Sequence, residues 1–203
     1  MSKGASYTRA EFVKKYGSFI HKAVEGSGIL AGTLVAQAIL ESSGKDLQGN
    51  FKVAGSKLSR EANNLFGIKK SKSWTGKVYN INTGEVLNGK NVVVNADFRA
   101  YDSYEDSIKD YVKFLSENPR YAKVLKATTV KDQAIELKNA GYATATNYSS
   151  TVNSVYLSVK DLLDESYLNY LKENKLKKVK NISISLAILV VLISGFYYFK
   201  KSK

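Results

Sequence analysis

A lone glutamate closing an apolar helix is the residue in this chain best set for proton-transfer chemistry. Glu41 ends the run Val35-Ala36-Gln37-Ala38-Ile39-Leu40-Glu41, within a stretch from Ile29 where nearly every residue is apolar or small. A helix with no wet face lies inside a domain. A carboxylate at its end loses hydration when charged, so its pKa rises and it keeps a proton near neutral pH, as a general acid must. Ser42, Ser43 and Gly44 read as a helix exit that places Glu41 at the lip of a cleft. The plainer alternative is a glutamate that ends a core helix and points to water.

Two further carboxylates invite comparison. Glu61 precedes Asn63-Asn64-Leu65-Phe66-Gly67-Ile68-Lys69, whose mixture of amides and apolar side chains predicts a packed turn presenting amides to a groove. Glu61 itself reads better as part of a solvated face. Glu85 lies in a strand-like stretch from Trp74 to Tyr101, where Asn82-Thr83-Gly84 interrupts the apolar residues and Asn88-Gly89 signals a hairpin. On a small antiparallel sheet Glu85 either shares the cleft with Glu41 or sits at a solvated edge. The chain has no cysteine, which excludes a thiol nucleophile and disulfides, and its single histidine, His21, excludes an imidazole pair. No metal or cofactor is called for, and His21 is read as structural.

Helices must position these groups. Thr8-Arg9-Ala10-Glu11 has the form of a capping box, and Phe12, Tyr16, Phe19, Ile20 and Ala23 follow at helical spacing to about Val24. Helical spacing returns with Tyr104, Ile108, Tyr111, Val112 and Leu115 and is broken at Asn118-Pro119. A shorter helix runs from about Val130 to Leu137, closed by Gly141. A loop with Tyr142 and Tyr148 leads to a last helix carrying Val152, Val155, Tyr156, Val159 and Leu163.

The charge is unevenly placed. Of a formal net +13, the eight lysines and one glutamate from Lys172 onward leave +6 for the preceding residues. Ile182 to Phe199 holds only apolar residues, serines and one glycine, fenced by lysines and by Tyr197 and Tyr198. As a helix it covers roughly 27 Å, near the thickness of a bilayer's hydrocarbon core. The expected organisation is a folded domain at 8–163, a charged helical stalk at 164–181, a transmembrane helix at 182–199 and a basic tail at 200–203. The first thirty residues lack a secretory signal pattern, and no nucleic-acid motif accompanies the charge.

Six stretches in order make the chain resemble the glucosaminidase family, glycoside hydrolase family 73, whose members include flagellar peptidoglycan hydrolase domains and bacterial autolysins. They are Ala36-Gln37-Ala38-Ile39-Leu40-Glu41-Ser42, Asn64-Leu65-Phe66-Gly67-Ile68-Lys69, Thr83-Gly84-Glu85, Phe98-Arg99-Ala100-Tyr101-Asp102-Ser103, Asn118-Pro119-Arg120-Tyr121 and Gly141-Tyr142-Ala143-Thr144. The resemblance implies an α+β, lysozyme-like fold, with a helical lobe, a small antiparallel β lobe and a glycan groove between them. It implies Glu41 as general acid, Glu85 as second carboxylate and Tyr142 at the catalytic centre. Asn64 and Phe66 would line the groove, with Gln37 and Tyr148 as further substrate contacts. Three departures stand out: Ala145-Thr146 where the family often has Asp-Pro, Val86 where an aromatic residue is common, and an apparent insertion from Lys45 to Ala54.

The implied activity is cleavage of the β-1,4 bond between N-acetylglucosamine and N-acetylmuramic acid by an enzyme anchored in a membrane and facing peptidoglycan. Its partners would be glycan strands and, through Ile182 to Phe199, a lipid bilayer, with no nucleic acid. A C-terminal anchor without an export signal leans toward a phage lysis or entry enzyme. A lytic transglycosylase and a non-catalytic glycan-binding membrane protein are the alternatives.

Overall fold

A computed structural model of the chain describes residues 5–87 and 90–201, with side chains except at 85–91 and from 181 onward. The order of elements is α1 (Arg9–Val24), α2 (Ala31–Ser42), β1 (Gly44–Lys45), β2 (Phe51–Lys52), α3 (Lys57–Ala62), β3 (Val78–Leu87), β4 (Lys90–Arg99), α4 (Tyr104–Glu117), α5 (Val130–Asn139), α6 (Tyr148–Leu157) and α7 (Lys160–Lys201). Short 3-10 turns at Pro119–Tyr121 and Val124–Lys126 join α4 to α5.

The apolar helix α2 is the axis of the body. Its residues from Gly32 to Ile39 are all buried, and α1, α5 and α6 pack around it. Of the stripe on α1, Phe12, Tyr16 and Ile20 are buried and Phe19 and Ala23 half-buried against the core, with Val13 buried beside them. Thr8 caps this helix, with its hydroxyl accepting from the Glu11 N–H while the Glu11 carboxylate accepts from the Thr8 N–H at 2.7 Å. His21 ties α1 to α7 through a ring nitrogen 3.1 Å from the Leu163 carbonyl, in keeping with a structural role.

The β lobe is a single antiparallel hairpin, paired from Val78 with Arg99 to Leu87 with Lys90. Residues 82–84 run unbroken inside β3, where the sequence suggested an interruption. Asn95 donates across the hairpin to Asn82 at 2.9 Å, so the amides bridge strands and do not form a turn. The expected turn at Asn88-Gly89 lies outside the described residues. Four ties fix the hairpin's base to the helical body: Tyr79 donates to Glu61, Lys77 pairs with Asp102, and the Arg99 guanidinium meets Asp110 at 2.8 Å while Asn64 holds the Arg99 carbonyl. Glu61 is thus a partner of the β lobe and not simply a solvated side chain.

Three more local expectations change. The apparent insertion folds into the small β1–β2 hairpin, turned by Asp46, whose carboxylate accepts the N–H groups of Gln48 and Asn50. The helix expected through Leu163 breaks at Ser158-Val159 and restarts as α7. Finally, the stalk does not leave the body at 163. Ser166 and Tyr170 are buried against α1, where Gly17 leaves room that a Cβ would take from Ser166, and Tyr170 donates to Glu25 at 2.7 Å. Among the described residues no helix is long and apolar enough to cross a membrane. The expected span, Ile182 to Phe199, falls where side chains lie outside the described residues.

Candidate active site

The last turn of α2 is held from three directions. The Ser42 and Ser43 hydroxyls donate back to the Ala38 and Ile39 carbonyls, each at 2.5 Å. The Ser42 carbonyl, which the helix leaves unpaired, accepts from the Ser56 N–H at 3.0 Å, and the Ser42 hydroxyl accepts from the Ala54 N–H. Glu41 therefore projects from a rigid helix end, one turn beyond Gln37 and on the same face.

Tyrosines surround that face. Phe66 stacks on Tyr111, with ring centroids 3.9 Å apart at 8°. Tyr142 meets Tyr111 edge-on at 6.0 Å, lies 6.4 Å from Tyr121 and 6.1 Å from Tyr148, and donates its hydroxyl to the Phe66 carbonyl at 3.2 Å. Gln37 donates to the Tyr148 hydroxyl at 2.9 Å. Burial raises the pKa of Tyr111, Tyr142 and Tyr148 above the ordinary phenol value, and the nearby Glu41 charge adds to the rise in each. All three stay neutral at physiological pH.

Glu41 retains an exposed surface, yet the packed protein behind it removes enough hydration to push its pKa from 4.5 up to about 7. The two facts are compatible where one side of the carboxylate faces solvent and the other faces packed protein. Water on the open side tempers the shift, and a glycan displacing that water strengthens it. Between pH 4.5 and about 7 the folded state holds a proton that the unfolded chain has released, so stability falls as pH rises through that window and levels off beyond it. Glu41→Gln has no such proton to lose. Its melting temperature should gain on wild type across that window, and a difference that stays constant with pH would refute the desolvated acid.

The structure gathers Glu41, Gln37, Tyr142, Tyr148 and Phe66 but changes what several of them do. Gln37 is fully buried and has no surface with which to meet a substrate; it acts on Tyr148. Tyr148 and Phe66 are only 4 % and 3 % exposed, so they belong to the packed protein behind Glu41 and present little surface to a substrate. Asn64 is turned inward as well. Its side-chain nitrogen donates to the Ile68 and Arg99 carbonyls and its oxygen accepts from the Phe66 and Ile68 N–H groups, which orders the turn but leaves no amide for a groove. Glu85 lies in β3 opposite Val92, and its side chain is outside the described residues. Tyr111 and Tyr121 belong to the cluster although the sequence marked them only as a helix-core residue and part of a motif. Among the described residues no group of three or more His, Asp or Glu is placed to hold a metal.

The family model described as mannosyl-glycoprotein endo-β-N-acetylglucosaminidase matches residues 17–161. The chain belongs to the glucosaminidase family. It is 38 % identical over 152 residues to the peptidoglycan hydrolase FlgJ of Salmonella typhimurium, covering 73 % of this chain and 45 % of that one. It is 35 % identical over 132 residues to the exo-glucosaminidase LytG of Bacillus subtilis, covering 63 % and 43 %. The chain thus spans about half the length of the curated relatives it matches. A solved structure of the glycoside hydrolase domain of Salmonella typhimurium FlgJ, truncated at its C-terminus, superposes with a TM-score of 0.56 at 35 % identity, covering 75 % of this chain and 98 % of that one. The α+β architecture is therefore that of the family's lysozyme-like glycoside hydrolases.

Proposed function

We propose that this glucosaminidase-family chain hydrolyses the β-1,4 bond between N-acetylglucosamine and N-acetylmuramic acid in peptidoglycan. The observation that carries the reading is Glu41, a solvent-reachable carboxyl with a pKa near 7, fixed at the end of α2 against a wall of neutral phenols. Glu41 donates its proton to the bridging oxygen as the bond to the sugar's anomeric carbon breaks, and the leaving strand departs as an alcohol. Water then adds at the anomeric carbon and gives up a proton. Glu85 takes it, or, where the substrate's acetamido group first stabilises the oxocarbenium-like centre, the Glu41 carboxylate takes the proton back. Tyr142 lines the reacting centre. Digestion of purified sacculi tests the reading: reducing N-acetylglucosamine ends support it, anhydromuramic ends indicate a lytic transglycosylase, and binding without release of fragments indicates a glycan-binding protein. Sequence similarity to an exo-acting relative makes the length of the released fragments a second readout.

The same proposal includes a membrane anchor at Ile182 to Phe199, with the catalytic domain facing the wall of a host cell or carried in a virion membrane as a phage lysis or entry enzyme. Its support is the length and composition of that stretch and its lysine fences. Because α7 stays docked through Tyr170, truncation after Asn174 should keep the domain intact and release it as a soluble, active enzyme, whereas the full chain should need detergent. A full-length protein that stays monomeric in buffer alone would refute the anchor.

A further inference from the structure

Away from Glu41, a cavity of about 700 Å³ opens between α1, the start of α2, the start of α5, α6 and the docked part of α7. Part of its lining is aromatic. His21 and Tyr167 have ring centroids 4.9 Å apart, and Tyr167 and Tyr170 stack at 6.2 Å and 24°. Tyr156 lies across from Gly32, where a Cβ would sit 2.7 Å from its ring, so glycine in the first turn of α2 lets this wall close in. Tyr167 is 45 % exposed although its neighbours hold it in place. The remaining lining is mixed: Val24, Ile29, Leu30 and Leu163 are apolar, and Thr128, Lys131, Asn153, Glu25 and Asp164 supply polar groups at the edges.

Charge compensation decides the class of ligand. Glu25 already accepts from the Tyr170 hydroxyl at 2.7 Å, Asp164 is paired with Lys160 at 2.5 Å, and Lys131 shares the lining. The two acids, Glu25 and Asp164, are matched by Lys131 and by the Lys160 paired with Asp164, so the lining carries no net charge to select an ion. Pre-oriented aromatic faces beside hydroxyl, amide and carboxylate groups fit a neutral polyol, whose C–H faces lie on rings while its hydroxyls and amides hydrogen-bond at the edges. We propose that this cavity is a second carbohydrate site, which holds a short stretch of β-1,4-linked N-acetylated sugar. The inference rests on the reading that the chain acts on peptidoglycan glycan. Its contact with α2 is at the opening turn, from Ala31, and Glu41 stands in the closing one, so the two sites lie about 15 Å apart along the helix. A neighbouring strand held at the second site keeps the enzyme on the wall between cuts.

The test uses the full chain in detergent micelles, carrying Glu41→Gln to prevent turnover, titrated with tetra-N-acetylchitotetraose while backbone amide NMR signals are followed. Two separate groups of residues should shift, one around Glu41 and Tyr142 and one around Thr128–Lys131 and Tyr167. Adding Tyr167→Ala should weaken the second group's binding at least about fivefold and leave the first unchanged, which also shows that the fold is intact. Shifts confined to the cleft group, or a second group indifferent to Tyr167→Ala, would overturn the second site while leaving the cleft reading in place. Shifts in neither group would overturn both.

Discussion

Glu41→Gln is expected to lower turnover on purified sacculi by about 10²- to 10⁴-fold while leaving fold and glycan binding in place. The amide keeps the shape of the side chain at the end of α2 but has no proton to give the bridging oxygen. The residues that fix its position, Ser42, Ser43 and Ser56, act on the backbone and are untouched by the change. Wild-type kcat/KM should also fall as pH rises through about 7, because the acid is then ionised in the free enzyme. Residual activity above roughly a tenth of wild type is well short of the loss of a general acid and would remove Glu41 from that role.

Phe66→Ala should cost about 3 to 5 kcal/mol of folding stability, a large share of the roughly 5 to 15 kcal/mol that holds a domain together. Phe66 is 3 % exposed and stacked flat on Tyr111, which in turn meets Tyr142 edge-on, so truncation opens a void directly behind the tyrosine cluster. Denaturant unfolding measures the loss. A cost under about 1 kcal/mol would mean that the stack contributes little and that Tyr142 is held by other contacts.

Periodicity made the longer helices legible, since one face of each had to be apolar, and the same logic exposed Glu41 as a carboxylate at the end of a run with no wet face. The six-residue α3 is too short to show a period and reads in sequence only as a polar stretch and a turn. Amides were harder. Asn64 and Gln37 each carry donor and acceptor atoms, and only the arrival of the Arg99 carbonyl or the Tyr148 hydroxyl decides that they face inward. The break between α6 and α7 has no glycine or proline to announce it. Ser158 marks it through a hydroxyl that donates to the Val155 carbonyl and accepts from Arg9, a contact 149 residues distant in sequence. The docking of α7 depends on Gly17 leaving room for Ser166, a steric fit between helices that neither segment reveals alone. Tyr111 read as core because it is core; what made it part of the site was the proximity of Glu41, which belongs to another helix.

The phenol wall also governs how the protein meets alkali. Burial and the Glu41 charge raise the pKa of Tyr111, Tyr142 and Tyr148 above 10, so an unfolded chain releases these protons before the folded one does. Their contribution to stability is complete below pH 10 and drains away above it. Tyrosinate absorbance from the cluster should therefore not rise as a simple titration curve. It should appear together with the loss of tertiary structure, making the ultraviolet spectrum of the phenol wall a report on its unfolding.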